Sequence, residues 1–203
     1  MLSMLPPFHR FPVAPLVLFC TALPAQQTIW RIDSNHSAAY FSIRHLMIST
    51  VRGQFTGVNG TVHYDPNRPA ESSVEATIAC STVTTGVAKR DEQLKGPDFF
   101  EVAKYPNMKF TSRRVEVPEP GKLKITGDLT INAVTRPVVL DVDGPSAVVR
   151  DAQGREKIGL GASAKINRKN FGIVWNEIME SGGFALADEV SITLDIELLR
   201  AEK

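Results

Sequence analysis

Two short clusters of this chain combine polar side chains with aromatic ones. The first centres on the pair Arg90-Asp91, and the second consists of Asn167, Arg168, Phe171 and Trp175. A guanidinium beside aromatic rings suits the polar head of an amphiphile, because it binds oxygen atoms bidentately and stacks on rings. Both clusters are therefore candidate ligand-binding residues, with an ordinary solvated loop as the alternative for each.

Residues for acid–base, nucleophilic or metal chemistry form no recognisable motif. The histidines after residue 25 are His36, His45 and His63, and their spacing is not that of a zinc site. Ser163 follows Gly161-Ala162, but the second glycine of a hydrolase nucleophile turn is missing. We therefore predict no catalytic residue, no metal site and no cofactor.

The segment 89–106 stands out because it lacks the alternation of a strand. Gly96-Pro97 would end a first short helix that carries Leu94, since Gly favours a helix C-cap and Pro cannot continue a helix. Asp98 followed by Glu101 is a variant of the capping box and predicts a second short helix.

Two adjacent aromatic residues, Phe99 and Phe100, would lie on that second helix. A helical cover that carries two phenylalanines on an otherwise β-structured chain indicates an apolar space beneath it. The alternative is a plug of side chains that fills one end of a barrel.

The rest of the chain after residue 25 alternates apolar and polar residues, which predicts half-buried strands. The clearest case is the segment 189–198, whose apolar face consists of Val190, Ile192, Leu194, Ile196 and Leu198. A series of such antiparallel strands closes most simply into an up-and-down barrel, which removes exposed edges; a two-sheet sandwich is the main alternative. We predict one all-β domain over residues 26–203.

The strand 39–47 places Phe41, Ile43 and His45 on its more apolar face. If that face points inward, these side chains lie inside the barrel, close to the turn that leads to Phe55. For His45 the alternative is a core histidine whose ring bonds to a neighbouring carbonyl.

Residues 1–25 have the features of a secretory signal peptide. They contain one basic residue, Arg10, and no acidic residue, and the apolar run 11–23 is too short to span a bilayer. Cleavage after Ala25 predicts an exported protein, periplasmic or secreted, that begins at Gln26.

Acylation of Cys20 is not expected, because Phe19 precedes it where lipoprotein processing requires a small residue. Without the leader Cys80 is the sole cysteine, which precludes an internal disulfide. The 22 acidic residues then balance the basic ones, since Arg10 is the only charge removed. This balance argues against nucleic acid as a partner, and stable membrane insertion is not predicted.

Nearly all of the chain after residue 25 resembles the YceI-like family of exported, lipocalin-like proteins. The segments that carry the resemblance are 30–37, 41–47, 51–55, 69–78, 90–106, 127–131, 135–138, 166–172 and 182–183. One departure is Ala133, where the family has Gly, and a slight change of that turn is expected.

The resemblance implies an extended antiparallel barrel of about eight strands with short helices, enclosing a long apolar cavity for an isoprenoid quinone, a polyprenyl chain or a similar lipid. The resemblance implies no enzymatic reaction, and it is compatible with a homodimer. The residues predicted to contact the lipid are Phe41, Ile43, His45, Phe55, Arg90, Asp91, Leu94, Phe99, Phe100, Asn167, Arg168, Phe171 and Trp175.

Two further hypotheses compete with lipid carriage. One is an envelope enzyme that acts on a lipid head group, with His45, Asp91 and Arg90 as acid–base and anion-binding residues. The other is a structural or stress protein whose barrel is filled by its own side chains.

Overall fold

The computed structural model describes residues 28–179 and 182–201. The leader predicted for residues 1–25, its cleavage site and Cys20 lie outside the described residues. Single 3-10 turns span Pro69–Glu71, Cys80–Thr82 and Arg168–Phe171. The strands and the α-helix of the described residues are, in chain order, β1 Thr28–Ile32, β2 Ala38–His45, β3 Ser49–Phe55, β4 Val58–Tyr64, β5 Ser73–Ala79, α1 Ala88–Lys95, β6 Asn107–Glu119, β7 Lys122–Ile131, β8 Val134–Asp143, β9 Val149–Arg150, β10 Glu156–Asn167 and β11 Leu186–Arg200.

Two broken strands explain how these elements close into a ring. β1 and β2 lie end to end along β11, where Ile32 pairs with Leu198 and Ala38 pairs with Asp195. β3 pairs with β2, and β4 pairs with β1. β3 and β4 therefore also lie end to end and form a second interrupted strand. From β4 the order continues through β5, β6, β7, β8 and β10, and β10 pairs with β11 to close the sheet.

The result is a closed antiparallel barrel of eight strands, in which each broken strand counts once. The predicted all-β, lipocalin-like barrel is therefore confirmed, and the sandwich alternative is excluded because the sheet has closed on itself. β11 and β10 form its longest ladder, from the pair Lys157 and Leu199 to the pair Asn167 and Glu189. Below, the upper end of the barrel is the end at which β2 leads into β3, and the lower end is the end at which β11 finishes.

The cover of the upper end contains one helix rather than two. α1 is where the sequence predicted the first helix, and Gly96 is its C-cap. The predicted second helix is wrong, because residues 98–104 form turns. The Gly96 carbonyl accepts hydrogen bonds from the backbone N–H groups of both Phe99 and Glu101, and Glu101 has a φ of 43°, which a helix does not permit.

Burial of two aromatic rings favours these turns over the helix. Phe99 is buried in the core beneath the cover, and Phe100 packs against the same cluster. Asn132, in the turn between β7 and β8, donates a hydrogen bond from Nδ2 to the Phe99 carbonyl. That turn holds both Asn132 and Ala133 at positive φ, 50° and 61°, so the left-handed turn forms with alanine at its second position.

The lower end is closed by a separate apolar cluster. Trp30, Val62, Ile158 and Leu198 are buried together there. Cys80, at the other end, is buried as well, and burial raises the pKa of its thiol. No helix among the described residues is long and apolar enough to cross a membrane.

Candidate functional site

A cavity of about 620 Å³ lies inside the barrel. Its wall includes alternate residues of every strand of the closed ring, and on β11 it extends from Leu186 at the upper end to Leu198 at the lower end. Twelve residue steps of about 3.3 Å, on strands tilted by about 40°, correspond to roughly 30 Å along the barrel axis. The cavity is therefore long and narrow.

The wall contains most of the predicted ligand-binding residues. Those that line the cavity are Phe41, Ile43, His45, Phe55, Arg90, Leu94, Phe99, Phe100, Arg168 and Trp175. They come from β2, β3, α1 and the two segments that cover the upper end. Asp91, Asn167 and Phe171 are not among the lining residues.

Aromatic contacts connect β2 and β3 with the cover. The ring of Phe41 lies 5.7 Å from that of Phe55, and Phe55 lies 5.2 Å from Phe100 in an edge-to-face arrangement. Phe41 is paired with Gly53 on β3, where a Cβ atom would stand 2.4 Å from the Phe41 ring. Gly53 therefore leaves the space that this ring occupies.

Helix geometry separates Arg90 from Asp91. Arg90, Gln93 and Leu94 are spaced as i, i+3 and i+4, so they share the face of α1 that lines the cavity. Asp91 lies one position round the helix. Its carboxylate accepts hydrogen bonds from the backbone N–H of Thr85 at 2.7 Å and from the Thr85 hydroxyl at 2.5 Å.

The Asp91 carboxylate also accepts a hydrogen bond from the Thr84 hydroxyl at 3.2 Å. These bonds, chiefly the one from the Thr85 hydroxyl, lower the pKa of Asp91 below its ordinary value. Thr84 in turn exchanges two backbone hydrogen bonds of 2.9 Å with Gln54 of β3. Asp91 therefore fastens α1 to the barrel wall and does not face the cavity.

Arg168 is a buried cation at the upper end, with 4% of its surface exposed. Its Nε donates to the carbonyl of Ala187, and its Nη1 donates to the carbonyls of Ile173 at 2.9 Å and Trp175 at 2.7 Å. Burial lowers the pKa of this guanidinium. Within the described residues Nη2 has no hydrogen-bond partner, and the Asp188 carboxylate lies 3.9 Å away.

These bonds make Arg168 the clamp for residues 173–179 and 182–187, which form the second part of the cover. The segment places Trp175 in the cavity wall, where the indole lies 5.4 Å from the ring of Phe99. Asn167 instead points away from the cavity and caps the turn that follows it, since its Oδ1 accepts from the N–H of Lys169. Phe171 is fully buried in the core cluster.

Several lining residues were not predicted. Gln93 shares the α1 face of Arg90, so helical spacing would have identified it. Phe110 and Leu140 occupy inward positions of β6 and β8, where alternation carries the same signal. Tyr64 lines the lower end; burial, and then the nearby Asp65, raise the pKa of its phenol.

Asp33, His36 and Glu197 form a cluster outside the cavity whose potential ligand atoms lie within 4.8 Å of one another. The Lys157 ammonium is 2.6 Å from the Glu197 carboxylate and 3.6 Å from that of Asp33. The His36 Nδ1–H donates to the Asp33 carboxylate at 2.9 Å, and this hydrogen bond lowers the pKa of the Asp33 carboxyl. The cluster is thus a salt-bridged network on the barrel wall, and His45 lies apart from it in the cavity.

The model of the YceI-like domain matches residues 30–198. The chain belongs to the YceI-like family. A UPF0312 protein of Photorhabdus laumondii is 37% identical over 156 residues, which are 76% of this chain and 80% of that protein. The family assignment made from sequence segments is therefore confirmed.

Solved structures agree with the fold of this YceI-like domain. The YceI protein of Campylobacter jejuni is 32% identical and has a TM-score of 0.64, covering 79% of this chain and 91% of that one. A polyisoprenoid-binding domain from Saccharophagus degradans, implicated in plant cell wall breakdown, has a TM-score of 0.62 at 14% identity, covering 85% of this chain and 98% of that one. At that identity the second likeness concerns the fold alone.

Proposed function

We propose that this protein is an exported carrier that holds one long-chain isoprenoid lipid, of the quinone or polyprenyl type, inside its barrel. The observation that carries the proposal is the apolar cavity of about 620 Å³, which runs from the cover to the lower apolar cluster. This volume falls within the range of about 300–1,000 Å³ that small-molecule sites occupy. A barrel filled by its own side chains would not leave such a space.

The length of the cavity favours an isoprenoid chain over a single ordinary acyl tail. One bilayer leaflet is about 15 Å deep in hydrocarbon, half of the ~30 Å core, and an acyl tail fills that depth. The cavity is about twice as long, so a tail of that kind would leave its lower half empty. A chain of several isoprene units fills the whole length.

Energetics support the same size class. Burying one five-carbon unit contributes about 4 kcal/mol at most, at about 0.8 kcal/mol per methylene. Association costs on the order of 4–15 kcal/mol. One or two units barely offset this cost, whereas several units leave a net free energy of binding.

The distribution of polar lining residues supports one orientation of the ligand. Charged side chains of the wall, such as Arg90, Arg168 and Glu177, belong to the upper end. At the lower end the polar groups of the wall are the hydroxyls of Tyr64 and Ser72. The polar head group therefore lies under the cover and the tail extends toward Leu198.

The fold adds support, since a structural neighbour that shares it is described as a polyisoprenoid-binding domain. The enzyme hypothesis required His45, Asp91 and Arg90 to act together on a head group. The Asp91 carboxylate instead accepts hydrogen bonds from Thr84 and Thr85, so the three residues of that hypothesis do not come together as an acid–base site. A homodimer stays a prediction.

The test is to purify the protein from its native source, extract it with organic solvent and identify the extracted lipid by mass spectrometry. We expect about one long-chain isoprenoid lipid per chain. Delipidated protein is then titrated with isoprenols of increasing length and with a saturated fatty alcohol of one-leaflet length. Affinity that does not rise with isoprenoid length, or preferential binding of the fatty alcohol, would contradict the proposal.

Export is part of the same proposal and is supported by the composition of residues 1–25. We expect the protein of the cell envelope to begin at Gln26 and to carry no acyl group. Intact-mass measurement checks this, and retention of the leader or a diacylglyceryl mass on Cys20 would refute it.

A further inference from the structure

The most exposed large hydrophobic side chains among the described residues all belong to the upper end of the barrel. They are Ile48, 80% exposed, Ile178, 77%, Val174, 63%, and Met47, 62%. Phe184 is also more than half exposed and is bridged to Ile178; at the lower end Val148 and Val149 are exposed to a similar extent. Ordinary surface hydrophobics occur singly, so their concentration at one end requires an explanation.

These five residues form one rim, which we call the apolar rim: Met47, Ile48, Val174, Ile178 and Phe184. Met47 and Ile48 occupy the tight turn between β2 and β3, and the other three belong to the segment after Arg168. The two parts adjoin, because the N–H of Leu46 donates to the carbonyl of Ala185 at 2.7 Å.

The apolar rim borders the mouth of the cavity. His45 and Ser49, on either side of the β2–β3 turn, line the cavity, as do Trp175 and Glu177 of the second segment. A lipid that enters or leaves the cavity between these segments therefore passes the rim.

Basic side chains stand directly behind the apolar tips. The Arg44 guanidinium donates to the Met47 carbonyl at 2.6 Å and so fixes the turn that presents Met47 and Ile48. The Lys169 ammonium lies 5.3 Å from the centre of the Phe184 ring. Apolar tips backed by long cationic side chains are the pattern of surfaces that insert shallowly at a lipid interface.

The size of the apolar rim also fits a bilayer better than a second protein. From their exposed fractions, the five residues present roughly 600 Å², as large as the largest apolar patch of an ordinary monomer. A stable protein interface needs about 800 Å² on each partner, and it is usually built on a broader surface than two turns.

We propose that the apolar rim docks the upper end of the barrel on a phospholipid bilayer, with the cavity mouth facing the membrane. This inference rests on the proposed function, because a cargo of several isoprene units dissolves in bilayers and not in water. Docking lets the isoprenoid lipid pass between the membrane and the cavity without crossing the aqueous phase.

The test uses the mature protein and vesicles of phosphatidylcholine in a flotation assay. The double variant Ile48→Asp, Ile178→Asp changes two fully accessible side chains of the rim. Its matched control is Val148→Asp, Val149→Asp, which alters two exposed valines at the lower end, beside the start of β10. Transfer of a labelled long-chain isoprenol between donor and acceptor vesicles is measured with the same proteins.

We expect vesicle binding and the transfer rate to fall at least tenfold in the rim variant and to stay within twofold in the control. Lipid content per chain, measured by mass spectrometry, stays unchanged in both. Wild-type protein that does not bind vesicles, or a rim variant that binds as well as wild type, would overturn the proposal. So would a wild-type dimer that the rim variant converts to monomer, since the rim would then bind a second copy.

The lipid measurement keeps this test distinct from that of the cargo. If the wild-type protein carries no lipid but binds vesicles, and the rim variant does not bind them, the cargo is refuted and the docking surface is supported. If the protein carries its full lipid content but the rim variant binds vesicles as well as wild type, the docking surface is refuted and the cargo stays supported.

Discussion

The indole of Trp175 lies 5.4 Å from the ring of Phe99, and this contact joins the two segments that cover the cavity. Phe99 belongs to the turns after α1, and Trp175 belongs to the segment that Arg168 clamps. Both side chains line the cavity. The cover is therefore held shut over the cavity by an aromatic pair that neither segment forms alone.

Replacing Trp175 with Ala should loosen the cover. Trp175 is partly buried, so we expect a loss of about 2 kcal/mol in the free energy of unfolding, less than for a fully buried indole. Lipid should dissociate about tenfold faster, because the cover opens more often. Urea denaturation and the rate of lipid release measure the two effects.

The neighbouring Val174→Ala is the control when lipid release is measured without vesicles, since Val174 does not line the cavity and its place in the apolar rim matters only at a bilayer. It should change the free energy of unfolding by less than about 0.5 kcal/mol. If the two variants release lipid at the same rate, the aromatic pair does not hold the cover.

The inward face of β2 gives a second prediction. Ile43 lines the cavity, so Ile43→Asp would place a carboxylate against the lipid tail, where it lacks water and a partner. We expect a loss of about 3 kcal/mol in lipid binding, or protonation of the new carboxyl. Co-purified lipid per chain, determined by mass spectrometry, reports the loss.

Ser42→Asp is its matched variant on the same strand. Ser42 is not a lining residue, and Arg52 stands opposite it on β3, which favours a carboxylate there. This variant should keep its lipid and its stability. Equal lipid content in two folded variants would mean that the strand's inward face is assigned incorrectly.

Alternation predicted the barrel wall because every second side chain of a barrel strand meets the interior. Val190 and Leu198 were placed on one face from the sequence, and both line the cavity. The same pattern favoured closure into a barrel, but it did not show which strands pair. Closure depends on β1 and β2 lying end to end on β11, a long-range pairing that neither the alternation nor the family resemblance specified.

The cover was predicted less well, because local signals and tertiary packing disagree there. Asp98 and Glu101 have capping-box spacing, which predicts a helix. Burial of Phe99 instead favours a turn conformation that is incompatible with a helix. Arg90 and Asp91 are adjacent in sequence, and helical geometry sends only Arg90 toward the cavity. Adjacent polar residues therefore identified the right segment without distinguishing the wall residue from the fastening residue.

Arg168 gives a third prediction because its guanidinium binds three carbonyl groups at once. Lysine keeps the charge but lacks the planar fork, so Arg168→Lys leaves carbonyls that the Nε and Nη1 of Arg168 satisfy without donors. We expect a loss of about 3 kcal/mol in the free energy of unfolding and reduced lipid retention. Urea denaturation measures the first and mass spectrometry the second.

Lys169→Gln is the control for charge at the adjacent position. Lys169 pairs with Asp188 at 2.9 Å on a largely accessible part of the surface, and exposed pairs contribute at most about 1 kcal/mol. A loss in this variant as large as that in Arg168→Lys would show that the segment does not depend specifically on the planar fork of Arg168.

Acid should release the α1 part of the cover before the barrel unfolds. The pKa of Asp91 is lowered, chiefly by the hydrogen bond from the Thr85 hydroxyl, so its ionised form is favoured in the folded state. The stabilisation is fully present above the ordinary aspartate pKa of about 3.9 and is lost as the pH falls below that value through the lowered pKa. The protection factors of residues 84–95 against hydrogen exchange, corrected for the intrinsic rate at each pH, should therefore fall below about pH 4.

Asp91→Asn separates this effect from general acid unfolding. The amide still accepts one hydrogen bond but has no charge to lose. The protection factors of residues 84–95 should therefore be lower than in wild type at neutral pH and should show little further change on acidification. Exchange of β10 and β11, which form the longest ladder, reports the barrel itself and should stay slow in both proteins over this range. An equally steep acid response in wild type and Asp91→Asn would place the acid-sensitive group elsewhere, and Asp33, whose pKa is lowered by its hydrogen bond with His36, would be the next residue to replace.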